Sequence, residues 1–80
     1  MPKKKIDKLP IVSGTDVVKA LQRLGFFLDR QRGSHAVLKK FAPQGERGCV
    51  IPMHREVALG TLRRALIMAG VSPEEFKDAL

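Results

Sequence analysis

Two side chains in this 80-residue sequence can take up and release protons near neutral pH, His35 and His54. His35 stands in the stretch QRGSHAVL, residues 31–38, directly after a Gly-Ser pair and at the mouth of an apolar run. An imidazole is a poor choice for packing there and a good one for moving protons, with an unperturbed pKa of about 6.5. From Arg30 to Gly45 the chain carries four basic residues, Arg30, Arg32, Lys39 and Lys40, and no acid. That places an acid–base group inside a concentrated positive potential.

The chemistry that fits such a set is cleavage of RNA. RNA carries its own nucleophile, the 2′-OH, beside the scissile phosphodiester. Cleavage needs that hydroxyl deprotonated, the leaving 5′-oxygen protonated and the added charge on phosphorus stabilised. A neutral imidazole suits the first task and an imidazolium the second. Arginine and lysine suit the third, because they offer donors where charge develops. No metal is required in such a scheme.

A plainer reading stands beside it. A lone histidine in a strand is more often structural than catalytic, and the basic surround could be a solvated edge that blunts strand-to-strand aggregation. His54 follows Pro52-Met53 and is expected at a strand end, either structural or lining a substrate. The two histidines have no recognised metal spacing, and the single Cys49 does not complete one. Ser34 and His35 are not a Ser-His dyad by spacing, since adjacent strand residues point to opposite faces. The sequence has no Gly-rich loop of the phosphate-cradling kind.

The elements that must position His35 are announced by their ends. In VSGTDVVKALQRLGF, Ser13 is an N-cap and Asp16 stands at capping-box spacing. Val17, Ala20, Leu21 and Leu24 recur at helical spacing and Gly25 supplies the stop, which predicts a helix over 14–24. In VSPEEFKDAL, Ser72 caps, Pro73 takes the first helical position and Glu75 closes the box. Between them GTLRRALIMAG puts Leu62, Ala65, Leu66 and Ala69 on one face of a helix over 60–69.

The middle reads as three strands, FFLDRQ, SHAVLKKF and RGCVIPM. Arg32-Gly33 and Pro43-Gln44-Gly45-Glu46 separate them. The expectation is an α+β sandwich: a three-stranded antiparallel meander with helices on one face. A two-residue turn at Arg32-Gly33 would set Gln31 opposite Ser34 and Arg30 opposite His35. Val37 and Lys39 would then share His35's side of the sheet, with Ala36, Leu38 and Lys40 on the other. Both sides mix apolar and basic residues, so alternation alone leaves open which is solvated.

Fifteen Lys and Arg against eight Asp and Glu give a net charge of +7, which favours polyanionic partners, nucleic acid or an acidic protein. A chain of this length holds one core, expected over 9–80, with residues 1–8 and their four lysines a flexible basic tail. The start, MPKKKIDKLPIV, lacks the apolar run of a secretory signal, and no stretch is long enough to span a membrane. One cysteine excludes an internal disulfide and fits a reducing cytosol, so a cytoplasmic location is expected, with Cys49 in or near the core. With no Trp and no Tyr, broad aromatic platforms for stacking single-stranded bases are not expected; four Phe are the only large rings.

From about Leu9 to Leu80 the chain resembles the HicA (YcfA-like) family of toxins, the RNA-cleaving halves of HicA–HicB toxin–antitoxin pairs. The resemblance rests on SGTDVVKALQRLGF, RQRGSH, VIPMH, LGTLRRAL and AGVSPEEF, in that order. It implies a double-stranded-RNA-binding-domain-like fold, α-β-β-β-α, here with a short extra C-terminal helix. It implies cleavage of messenger RNA without metal or small-molecule cofactor, and a HicB-like antitoxin as partner. The family's G-S-H histidine falls on His35, with Gly33 and Ser34 shaping the turn that presents it. Its Pro-x-His phrase falls on Pro52 and His54. Many members carry a second histidine directly after the first, where this chain has Ala36. The rival is a non-catalytic double-stranded-RNA-binding module. Such modules typically place a lysine cluster where this chain has Leu59-Gly60-Thr61-Leu62, followed by Arg63 and Arg64.

Overall fold

The computed structural model describes residues 9–80. Six elements follow in chain order: α1 (Gly14–Arg23), β1 (Phe27–Arg32), β2 (His35–Ala42), β3 (Gly45–Pro52), α2 (Leu59–Ala69) and α3 (Pro73–Ala79). The expected α-β-β-β-α order with an added C-terminal helix is the observed one. The basic tail expected over residues 1–8 lies outside the described residues.

Each helix ends where its chemistry dictates. The Ser13 hydroxyl accepts the Asp16 N–H at 3.1 Å, satisfying a donor that the first turn of α1 leaves without a helical partner. Gly25, at φ +100°, lets the chain leave α1. In α3 the capping box is complete: the Glu75 N–H donates to the Ser72 hydroxyl and the Ser72 N–H donates to Glu75 Oε1. Helix α2 has no side-chain cap at Ala58, and Gly70 closes it in the left-handed conformation. Its buried face is Leu62, Ala65, Leu66 and Ala69, the set its periodicity predicts.

The three strands form an antiparallel sheet in the order β1-β2-β3. Ala36 and Leu38 of β2 stand opposite Ile51 and Cys49 of β3, and all four are buried. They face α1 and α2, whose Val17, Ala20, Leu21, Leu62 and Leu66 complete the core with Phe76 of α3. The helices therefore cover one face only, and the side left ambiguous by alternation is settled. His35, Val37, Lys39 and Phe41 belong to the open face. All six residues of β1 are exposed, so this strand extends the sheet beyond the core.

The first hairpin departs from expectation by one residue. The turn is Gly33-Ser34, pairing Arg32 with His35, Gln31 with Ala36 and Arg30 with Val37. Gly33 at φ +59° is the residue able to occupy the first central position of a type II′ turn, whereas an Arg32-Gly33 turn would need Arg32 there. A bulge between Leu28 and Arg30 then shifts the register by one residue, so that Leu28 pairs with Leu38. In the second hairpin the turn contracts to Pro43-Gln44, and Gly45 and Glu46 join β3.

Candidate functional site

His35 opens β2 at the closed end of the first hairpin, with its side chain exposed. Arg32 is its partner on β1 and Pro52 its partner on β3. Cross-strand partners project to the same side, with Cβ atoms about 4.5–5.5 Å apart, so Arg32 flanks the imidazole directly. Arg30, two residues along the same strand and paired with Val37, lies on that side as well. The expected Arg30–His35 rung is replaced by Arg32–His35, and both arginines remain on the histidine's face.

Three further contacts fasten this end of the sheet. The Met53 N–H donates to the Ser34 carbonyl at 2.6 Å, tying the hairpin turn to the segment after β3. The Gly14 N–H donates to the His54 carbonyl at 2.9 Å, and the Val57 N–H to the Val12 carbonyl at 2.8 Å. Gly14 permits this approach because it has no side chain: a Cβ there would collide with the Pro52 carbonyl and lie 2.7 Å from Met53 Cα. The start of α1, the His54 loop and the Gly33-Ser34 turn thus meet around His35. His54 itself is exposed and lies in a loop just beyond β3 rather than within the strand. Gly14 escaped the sequence reading, because a glycine in the first helical turn carries no mark of what approaches it.

The four expected cations divide between the two faces. Lys39 shares the open face with His35 and lies 3.3 Å from a Glu46 carboxylate oxygen and 3.9 Å from Asp29. Asp29 is also 3.8 Å from Arg30. The acid-free run of sequence is therefore bordered in space by two carboxylates that flank it in the chain. Exposed pairs of this kind are worth about 0–1 kcal/mol, so they do not tie the cations down. Lys40 is elsewhere. Its ammonium donates to the Leu24 carbonyl at 2.8 Å and sits 5.6 Å from the centroid of the Phe26 ring, on the helix-covered side. Its β3 partner Arg47 lies against Gly70, with the guanidinium carbon 3.2 Å from where a Cβ would be. These two cations meet the C-terminal ends of α1 and α2, where the helix dipoles favour positive charge. Lys40 thus lies on the side opposite His35, as strand alternation predicts, and of the four cations of the run it is the one that does not share the imidazole's face.

Burial pushes the Cys49 thiol up to about 11, so at neutral pH it is protonated and unsuited to nucleophilic chemistry. The Ser72 backbone and hydroxyl hydrogen bonds hold Glu75 below the usual carboxylate range, which is part of the α3 cap. Among the described residues, no group of three or more His, Cys, Asp or Glu is arranged to hold a metal ion.

The open face carries one imidazole, two arginines and a lysine on paired strands rather than on a free loop, with Arg32 and His35 on one rung. Comparison with family models matches residues 14–71 to one described as the HicA toxin of bacterial toxin–antitoxin systems. That span takes in every element but α3. No curated protein matches the chain.

Proposed function

This chain belongs to the HicA toxin family of bacterial toxin–antitoxin systems, and on that premise we propose that it cleaves messenger RNA, with His35 as the acid–base catalyst. The observation that carries the reading is the exposed His35 ring paired directly with Arg32 at the end of an open, basic sheet face.

In this scheme the neutral imidazole takes the proton of the ribose 2′-OH. The 2′-oxygen then bonds to phosphorus as the bond to the 5′-oxygen breaks. The same ring, now imidazolium, returns its proton to the departing 5′-oxygen. The products are a 2′,3′-cyclic phosphate and a free 5′-hydroxyl, and no net proton is consumed. Arg32, with Arg30 behind it, offers guanidinium donors to the phosphoryl oxygens as charge builds there. Lys39 holds the backbone farther along the face. Gly33 and Ser34 present the ring, and His54 lines the substrate path at the same end. The scheme calls on no metal and uses one histidine, which accommodates Ala36 in the next position.

Membership of a toxin–antitoxin family implies an antitoxin partner. A HicB-like protein that covers His35 and its arginines would inhibit by excluding RNA. The site of action is the cytoplasm, where transcripts and a reduced Cys49 coexist.

The test is His35→Ala. The variant should keep its fold and its RNA affinity, lose cleavage of transcripts in the presence of a chelator, and no longer arrest growth on expression. Positioned acid–base groups contribute about 10²–10⁴ in rate, so the loss should reach that range. Transcript degradation by the Ala variant at the parental rate would remove His35 from catalysis. If the parental protein gives only a mobility shift, with no shortened products, it is a binding module and not a nuclease.

A further inference from the structure

Phe41 is the most exposed large hydrophobic residue among those described, at 73%, and Phe27 is 40% exposed. They stand fourteen residues apart in sequence, yet their rings meet at 5.7 Å between centroids with planes tilted by 31°. Phe41 has the strand parity of His35, and Phe27 pairs with Lys39, so both rings lie on the open face that carries His35. Lys39 lies between them as the cross-strand partner of one and the second neighbour of the other. Two touching rings, uncovered by any element, contribute nothing to this core. The absence of Trp and Tyr argued against a stacking platform; the hairpin assembles a small one from phenylalanines.

We infer that Phe27 and Phe41 form a base-stacking subsite for single-stranded RNA, at the opposite end of the open face from His35. The inference rests on the proposed RNA substrate and adds to it a specific contact. An exposed ring face accepts any base, and the neighbouring Lys39 with Arg30 and Arg32 carries the phosphates between the two ends. Glu46, the β3 partner of Phe41, and Asp29 balance Lys39 at the ring end. It is therefore Arg30 and Arg32 toward His35 that favour a polyanion over an apolar protein segment as the occupant of this face. His35 and Phe41 are six residues apart on one strand, or about 20 Å at 3.3–3.4 Å per residue. A single strand spaced between about 3.4 Å per nucleotide, when stacked, and about twice that, when drawn out, covers this in roughly three to six nucleotides. The stacked base is therefore that far from the scissile phosphate. Duplex RNA cannot offer a base face there, so the substrate is single-stranded over this stretch.

The probe is a 2′-O-methyl RNA oligonucleotide of about ten nucleotides, which lacks the nucleophile and stays intact while bound. One abasic position is moved along it and affinity is read by fluorescence polarisation. One position, or two adjacent ones, should weaken binding about five- to 150-fold in the parental protein. That penalty should vanish in Phe41→Leu, with Phe27→Leu as the second variant; both keep an apolar side chain on an exposed surface. A flat abasic scan, or an equal penalty in parent and variants, overturns the subsite. Variants that bind RNA as the parent does but lose affinity for the antitoxin assign the rings to the protein partner and overturn it too. Cleavage of unmodified RNA, measured alongside, separates the two readings: coupling without cleavage supports the subsite and removes the nuclease, and cleavage without coupling does the reverse.

Discussion

Arg32 and His35 face each other across the last rung of the β1–β2 hairpin, with only Gly33 and Ser34 between them. The tight turn leaves little freedom in their relative placement, and both side chains rise from the open face. A guanidinium so placed can meet the phosphoryl oxygens of a substrate whose 2′-OH reaches the imidazole. Arg32 makes no ion pair among the described residues, whereas Arg30 and Lys39 both approach Asp29.

Arg32→Ala should slow single-turnover cleavage by about 10²–10³, the usual cost of losing one donor aimed at developing charge. Its effect on affinity should be much smaller. Arg32→Lys should recover part of the rate, since the charge returns without the forked donor geometry. Single-turnover kinetics at saturating enzyme, with affinity measured separately, makes the check. An Arg32→Ala loss confined to affinity would leave the guanidinium a simple phosphate anchor.

Lys39 and Lys40 are neighbours in sequence with opposite expected behaviour. Lys39→Ala should weaken RNA binding and lower the slope of log affinity against log salt by about 0.7, one phosphate contact on a single strand. Lys40→Ala should leave that slope unchanged and destabilise the fold by about 1–3 kcal/mol, through the lost charge-assisted bond to Leu24 and the contact with the Phe26 ring. Salt titrations and urea melts of the two variants test the pair. A flattened slope in Lys40→Ala would place RNA on the helix-covered side.

Gly14→Ala should destabilise by about 1–3 kcal/mol or more, because the new methyl meets backbone atoms of Pro52 and Met53 that cannot swing aside. Gly60→Ala, in the first turn of α2 with nothing within 4 Å, should instead stabilise by about 0.4–1 kcal/mol. Urea midpoints at constant m-value compare them. The Gly14 variant that folds should also cleave poorly, since the His54 loop and the end of β3 must shift. Equal stability of the two variants would mean that α1 does not press on β3 as described.

Local chemistry carried much of the fold into the sequence. Ser13, Ser72, Glu75, Gly25 and Gly70 act within a few residues of their own positions, so the helices they bound could be placed from the chain alone. The identity of His35, the positive run around it and its place beside a Gly-Ser pair were legible for the same reason. Register was not. Arg32-Gly33 and Gly33-Ser34 are both plausible turns as strings. What separates them is which residue must adopt a positive φ, together with a bulge near Asp29 that alternation does not reveal.

Other features belong to the tertiary structure alone. The choice of which sheet side the helices cover depends on the joint packing of Ala36, Leu38, Cys49 and Ile51 with α1 and α2. That packing sends Lys40 to a helix end and leaves Lys39 on the open face that carries His35. The meeting of Phe27 with Phe41, and of Gly14 with the end of β3, joins residues far apart in the chain. Caps, turns and helical stripes are short-range, so the sequence by itself determined the elements and the candidate catalyst. Faces and neighbours follow from burying one common core, and only the folded chain decided those.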